Sequence, residues 1–389
     1  MQLVEVNNKA LEKVFIQFPI ELYKNEKNYI RPLDKDIKAV FDPSKNKNFR
    51  NGEAIRWVLK NDQGKYIGRV AAFYDKKTSQ KNDQPTGGLG FFECINDQHA
   101  ANILFDKGKE WLESKGMEAM DGPINFGDRN SWWGLLVDGF HEPNYQMPYN
   151  PSYYQELFEN YGWQLYFNQY TYKRPMGSEV GLTDRFFQRA QTTLNNPDYD
   201  FRHITKNEYS IVHDYFLEVY NKAWAGHGGV KAMAPRAAKA LFKQMKPIAD
   251  VKLLWFAFYK NEPVAFFISM PELNQLYKHL NGQWNLISKL RFLYLLKTGA
   301  CKKGLGVVFG VVPQHQRKGV EGALVVSFVQ KMAWKKGFHY KDIEMNWIGD
   351  FNPKMMRVVE QVDGQLYKTH ITYRYLFDRT KEFKRAKKI

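Results

Sequence analysis

Cysteine is almost absent: Cys94 and Cys301 are the only two in 389 residues. That excludes a disulfide framework, and no Cys/His spacing suits a metal or redox site. Two reduced, buried thiols and no metal are expected. No segment approaches the run of about 20 apolar residues that a membrane-spanning helix requires. The first residues, with Glu5 and Glu12, lack the basic-then-apolar order of a secretory leader. A cytoplasmic chain without a membrane partner is therefore expected. The common phosphate motifs are missing too. There is no G-x-x-x-x-G-K-S/T, and Gly304 and Gly306 precede a strand-like run instead of following one. Acidic charge is scarce: 41 Asp and Glu stand against 57 Lys and Arg, a net charge of +16. Six basic residues and one acidic one fall in the tail 379–389. A solvated tail accounts for part of the excess. The alternative reading is a surface that attracts anions, such as nucleotide phosphates, nucleic acid or anionic lipid, and charge alone does not choose between the two.

What is present is a sentence said twice. Asn150-Pro151, Gly162, Gln164-Leu165-Tyr166 and Thr171-Tyr172 recur as Asn352-Pro353, Gly364, Gln365-Leu366-Tyr367 and Thr372-Tyr373. The repeat is too long for a solenoid unit and suits two copies of one domain. Both halves read as mixed α and β. In the first, residues 57–60 and 66–74 form a hairpin, 87–94 a strand, 98–114 a helix stopped at Lys115-Gly116, 151–160 a helix and 164–173 a closing strand. In the second, a strand at 201–205 and two helices precede a hairpin at 252–259 and 263–270. A wholly apolar strand at 307–312 follows, then a helix at 321–335, a strand at 340–347, a helix at 353–361 and a strand at 366–377. The expected organisation is a first domain over residues 1–175, a connector over 176–198 with a short helix at 185–194, a second domain over 199–378 and the basic tail. Residues 121–149 form a long loop found only in the first half, rich in Gly, Pro, Asn and aromatics. Such loops line clefts or wedge between domains, and Asn125, Arg129, Trp132, Trp133 and Tyr149 are its candidate cleft residues. The second half has its own insertion, 272–301, with a basic, apolar helix at 287–297.

The chemistry concentrates after the strand 307–312, in Pro313-Gln314-His315-Gln316-Arg317-Lys318-Gly319-Val320-Glu321-Gly322-Ala323. A strand ends, a tight basic loop follows and a helix begins. Consecutive backbone N–H groups then point at one spot beside the positive end of the helix dipole. Gly319 permits close approach, and Arg317 and Lys318 add charge. That arrangement suits a pyrophosphate; a basic turn capping a surface helix is the plainer alternative. The first half has no such loop: its strand runs into Asn96-Asp97-Gln98, where Asp97 repels a phosphate.

The segment resembles the acyl-CoA-binding motif of the GCN5-related N-acetyltransferases, which is Gln or Arg, two residues, Gly, one residue, then Gly or Ala. Gln316 and Gly319 match; Glu321 stands where the second small residue is expected. The order of elements and the Asn352 and Gly364 positions are also similar. The resemblance implies two tandem domains of that family, α+β or α/β in class, each a mixed central sheet flanked by helices. The second would bind acetyl-CoA or another acyl-CoA through Val311, Val312, Gln316, Arg317, Lys318, Gly319, Val320, Glu321, Gly322, Ala323 and Asn352; the first would bind none. It implies N-acyl transfer to an amine acceptor, a small molecule or a peptide. Glu344 is the candidate base, and His227, in the loop 225–229, a candidate acceptor-site group. The family's usual Tyr acid is replaced by Glu360. Two alternatives remain open. One is an aminoacyl-tRNA-dependent transferase of the same tandem architecture, with tRNA as partner. The other is a degenerate, non-catalytic ligand-binding protein.

Overall fold

The computed structural model describes residues 1–80, 83–176, 184–224 and 232–388. Among them, one mixed sheet contains every strand. In chain order these are β1 (Gln2–Glu5), β2 (Gly52–Lys60), β3 (Tyr66–Asp75), β4 (Thr86–Cys94), β5 (Ala119–Gly122), β6 (Leu135–Asp138), β7 (Gln164–Pro175), β8 (Tyr199–His203), β9 (Leu254–Tyr259), β10 (Glu262–Pro271), β11 (Lys303–Val311), β12 (Asp342–Gly349) and β13 (Gln365–Leu376). Across the sheet they run β1-β2-β3-β4-β5-β13-β7-β12-β11-β10-β9-β8, with β6 on β13. The order mirrors itself about the β13–β7 pair. The two closing strands are exchanged: β13 pairs with β5, β7 pairs with β12, and the two pair with each other.

Local chemistry explains the hairpins. Lys260 and Asn261 both take positive φ, at 50° and 68°, the two-residue turn whose twist matches the flanking strands. Between β2 and β3, the Asn61 carboxamide oxygen accepts from the Gln63 and Lys65 N–H groups, and Gly64 supplies φ 77°. The helix Gln98–Ser114 buries Ala100, Ala101, Leu104, Phe105, Gly108 and Leu112, one stripe at helical spacing. Gly108 lets it lie close to the sheet, because a Cβ there would come within 2.6 Å of Leu89.

Each half contains one parallel pair, β4 with β5 and β11 with β12. Both pairs stay together only at their N-terminal ends. β4 and β5 pair from Thr86↔Ala119 to Gly88↔Asp121; β11 and β12 pair from Lys303↔Asp342 to Gly306↔Met345. Beyond those points the strands diverge and leave a wedge. A large apolar core backs each of the sheet's two arms. Arg374 of β13 grips Asp121 of β5 with two hydrogen bonds, 2.6 and 2.9 Å, which pins the exchanged strand.

Several expectations change. Residues 121–149 are not all loop: Leu135–Asp138 forms β6 and joins β13. The two Asn-Pro sites do different work. Asn352 caps the helix Pro353–Gln361, accepting from Met355 N–H. Asn150 instead trades two hydrogen bonds with the Leu136 backbone, 2.8 and 2.9 Å, and the helix near it starts later, at Tyr154. The helix-ending glycines differ as well. Gly162 takes φ 101°, but in the second half Asp363 carries the positive φ, at 59°. Gly364 is needed for space, since a Cβ there would meet Val359 Cγ1 at 2.4 Å. The motif helix is α-helical over Val320–Phe328 and finishes as a π-helical turn, Val329–Ala333. The connector helix occupies Asp184–Leu194.

Candidate functional site

The proposed anion loop leaves β11 at Val311 and makes a short turn, Pro313–His315. Gln316 folds its side chain back, its Nε2 donating to Val311 O at 3.0 Å. Arg317 (φ 63°) and Gly319 (φ 80°) both adopt left-handed backbone, which swings the chain into the helix start. Lys318 O accepts from Thr193 Oγ1, so the connector helix holds the loop from behind. Arg317 and Lys318 are exposed and Val320 is buried. Among the described residues, no side chain caps this helix. Its first N–H groups therefore have no intrahelical or side-chain acceptor there, and two exposed cations, Arg317 and Lys318, precede them in the chain.

The counterpart in the first half is closed by its own carboxylate. Asp97 accepts from the His99 and Ala100 N–H groups at 2.9 and 3.2 Å. The first wedge carries a buried carboxylate. Glu93 of β4 is buried among Tyr23, Tyr154 and Arg69. Tyr154 donates to it at 2.9 Å and Arg69 at 3.2 Å, and Tyr23 makes a third contact. Burial pushes the Glu93 carboxyl up, and Arg69 and the two phenols only partly offset this.

The second wedge is open. Between β11 and β12 lies a cavity of about 380 Å³. Its lining is almost wholly apolar: Val307, Val308 and Phe309 of β11, Phe328 and Val329 of the motif helix, and Val358 and Val359 of the last helix. Arg129, Arg174, Asn346 and Asn352 supply its polar groups. Among the described residues, no carboxylate, imidazole or phenol lines it. The opening and the uncapped helix start share one strand, β11, which lines the cavity and then runs into the loop.

Glu344 sits at the root of this wedge, where β11 and β12 still pair. It is completely buried. Lys303 of β11 donates to one carboxylate oxygen, and Lys368 of β13 to the other at 2.7 Å. Asn144 adds a hydrogen bond of 2.8 Å. Burial raises the carboxyl, but Lys368 and Lys303 outweigh it and hold it below the ordinary carboxylate range. Burial depresses Lys368, whereas Glu344 keeps Lys303 above its usual value despite burial. Both oxygens are thus taken by ammonium groups.

Two residues along β13 from Lys368, His370 is buried with a long contact from Nε2 to Pro148 O, 3.4 Å. Burial first, then Lys368, lowers its pKa from 6.5 to about 4. The unfolded chain consequently binds a proton that the folded one refuses between those two values. Stability should fall as pH drops from about 6.5 towards 4, by up to on the order of 3 kcal/mol. Urea unfolding across that range should show the slope, and His370→Gln should flatten it.

The five candidate cleft residues of the long loop do not converge. Arg129 reaches the second-half cavity, its guanidinium 5.6 Å from the Trp133 ring, and its carbonyl accepts from Trp347 Nε1 at 3.0 Å. Trp132 and Tyr149 line a separate cavity in the first half, beside Glu93. Asn125 is buried and lines neither. His227 lies outside the described residues. Reading the residues alone missed Lys303, Lys368 and Asn144, because strand order, not spacing, brings them to Glu344. The apolar cavity had a signal in the wholly apolar run 307–312.

No protein-family model matches the chain. It is similar to a protein of Caulobacter vibrioides named bacterial ceramide synthase, 26% identical over 96% of this chain and 97% of that one. It is also similar to protein YghO of Escherichia coli, 24% identical over 94% and 93%. Among solved structures, a tandem GCN5-related acetyltransferase from the clavulanic acid pathway matches with a TM-score of 0.51 at 9% identity, covering 98% of this chain and 99% of that one. A glucosamine N-acetyltransferase region of a fungal multi-domain β-N-acetylglucosaminidase matches at 0.54 and 12%, covering 96% of this chain and 38% of that longer one. The chain has the fold of the GCN5-related N-acetyltransferases, in tandem form.

Proposed function

We propose that this chain is an acyl-CoA-dependent N-acyltransferase working in its second half, and that its donor carries a long apolar acyl chain. The observation that carries this reading is the conjunction on β11: an apolar cavity on one stretch and an uncapped, cation-flanked helix start at its end. A cavity of this size exceeds what an acetyl group fills and falls in the range of sites that enclose larger apolar ligands. The similarity to a protein named for ceramide synthesis supports the same direction, since ceramide is an N-acylated lipid amine.

The residues fit the parts of such a donor. The N–H groups at the helix start, with Arg317 and Lys318, would take the pyrophosphate. Past Gly306, β11 has no strand partner on its β12 side, so alternate backbone N–H and C=O groups face the opening. They would pair with the amides of an extended pantetheine arm, and one N–H would face the carbonyl oxygen that gains charge during attack. Acyl-CoA supplies an activated thioester; the acceptor amine replaces the thiolate, and one proton must leave the amine.

For His227 we keep the proposed place at the acceptor site. We assign Glu344 to holding β11, β12 and β13 together, because a carboxylate tied to two ammonium groups is a weak proton acceptor. A second reading, transfer from aminoacyl-tRNA, draws only on the net charge of +16.

The cavity makes a direct test. Val308→Trp would fill the wedge. Calorimetric titration should show palmitoyl-CoA binding the wild type at least about tenfold tighter than acetyl-CoA. The variant should lose most of that difference while retaining acetyl-CoA. Equal affinities for the two donors in the wild type would remove the long-chain assignment.

A further inference from the structure

The helix Leu286–Lys297 presents an apolar face to solvent. Leu286, Ile287, Leu290, Leu293 and Tyr294 are between 44% and 77% exposed. Scattered exposed apolar residues are ordinary, but a contiguous set of this kind marks a contact surface. The helix is not short of a core: Ser288 and Phe292 are buried on its opposite side, with Phe292 packed on Tyr277 and Trp284. At about 100° per residue, the five exposed apolar positions span roughly 120° of the helix surface. Lys289 falls just beyond one edge of that arc and Arg291 just beyond the other. Lys297 ends the helix on the same side. A helix apolar all round belongs in a protein interior, and this one has a third of its circumference in water.

Charge decides what covers it. No Asp or Glu occurs anywhere between Glu272 and Glu321, whereas Lys278, Lys289, Arg291, Lys297 and Lys302 do. A second copy of the chain laid face to face would bring like charges together. A helix of twelve residues, about 18 Å long, also offers far less than the roughly 800 Å² per partner of a stable interface. A leucine, isoleucine and tyrosine face bordered by snorkelling Lys and Arg matches instead the boundary between acyl chains and anionic headgroups. We infer that this insertion helix docks the protein onto the surface of an anionic lipid bilayer, lying in the interface plane with its apolar face down. Among the described residues no helix is long and apolar enough to cross a membrane; lying on one is a different physical state. The inference does not depend on the proposed transferase activity, because the surface exists whatever the second wedge binds. If both hold, the protein would meet apolar substrates where they reside.

Flotation with phosphatidylcholine vesicles, with and without phosphatidylglycerol, tests this on the full chain. Wild-type protein should float with the anionic vesicles, stay behind with the neutral ones and detach as salt rises. Leu290→Glu with Tyr294→Glu should cut partitioning at least about tenfold, and Lys289→Glu with Arg291→Glu by roughly fivefold for each basic residue lost. Melting temperatures should be unchanged, because these side chains contact solvent. No flotation of the wild type would overturn the inference. So would flotation that survives the helix substitutions, which would place the contact on the basic tail 379–388. Light scattering that shows a dimer dissociated by Leu290→Glu would assign the face to a second copy instead.

Discussion

Gly319→Asp is expected to abolish acyl-CoA binding, lowering affinity on the order of 100-fold or more, with a small change in stability. The substitution copies into the second half what Asp97 does in the first. There a carboxylate sits on the helix N–H groups; here no side chain among the described residues does. A fixed negative charge about 4 Å from a bound phosphate costs about 4 kcal/mol at a surface-like dielectric. Aspartate tolerates left-handed backbone better than most residues, so the φ of 80° adds only a modest strain. Gly319→Ala separates the two effects, carrying strain without charge, and should lose several-fold at most. The pair is read by titration with CoA and by thermal shift. Equal, modest losses for both would mean that the helix start is not the anion site.

Glu344→Ala is expected to destabilise the protein by about 3–5 kcal/mol. Removing one member of a buried ion cluster leaves the others desolvated and unpaired. Lys368 and Lys303 would then face each other without the carboxylate that holds them. The loss also reaches across the exchanged strands, since β11, β12 and β13 each contribute one charge to the cluster. Urea denaturation gives the figure directly. Glu344→Gln distinguishes position from proton transfer. If the carboxylate serves the fold, Gln should lower the unfolding midpoint. If it serves as base, activity should collapse with the midpoint unchanged, and the pH profile of kcat should lose its acidic limb.

Periodicity and turn chemistry placed most elements in the right order from the sequence. The helix after Asp97 was legible to the residue, because its cap, its buried stripe and its Lys115-Gly116 stop are all local signals. The hairpin around Lys260-Asn261 was legible less closely: Glu262 belongs to the second strand instead of the turn, and the first strand starts at Leu254 instead of residue 252. The exchange of β7 and β13 was not legible. Both strands carry the same Gln-Leu-Tyr and Thr-Tyr text, and a closing strand reads alike whichever half it completes. The Glu344 cluster follows from that exchange and was hidden with it. Asp363 and Gly364 show a smaller limit: a glycine after a helix suggests a left-handed cap, but here its missing Cβ makes room for Val359. The proposed anion loop stands out in the sequence, because glycine, charge and the strand-to-helix change lie within ten residues. The adjoining cavity became visible only once β11 and β12 were seen to part after Gly306.

The proposed activity moves an acyl group from CoA to an amine in the second half. Mass spectrometry of the purified chain incubated with palmitoyl-CoA and a long-chain amino alcohol measures it. An N-acyl amide and free CoA should form in equal amounts, and both should be lost in Gly319→Asp. Amide formed from aminoacyl-tRNA but not from any acyl-CoA, or CoA binding with no amide from any amine, would contradict the proposal.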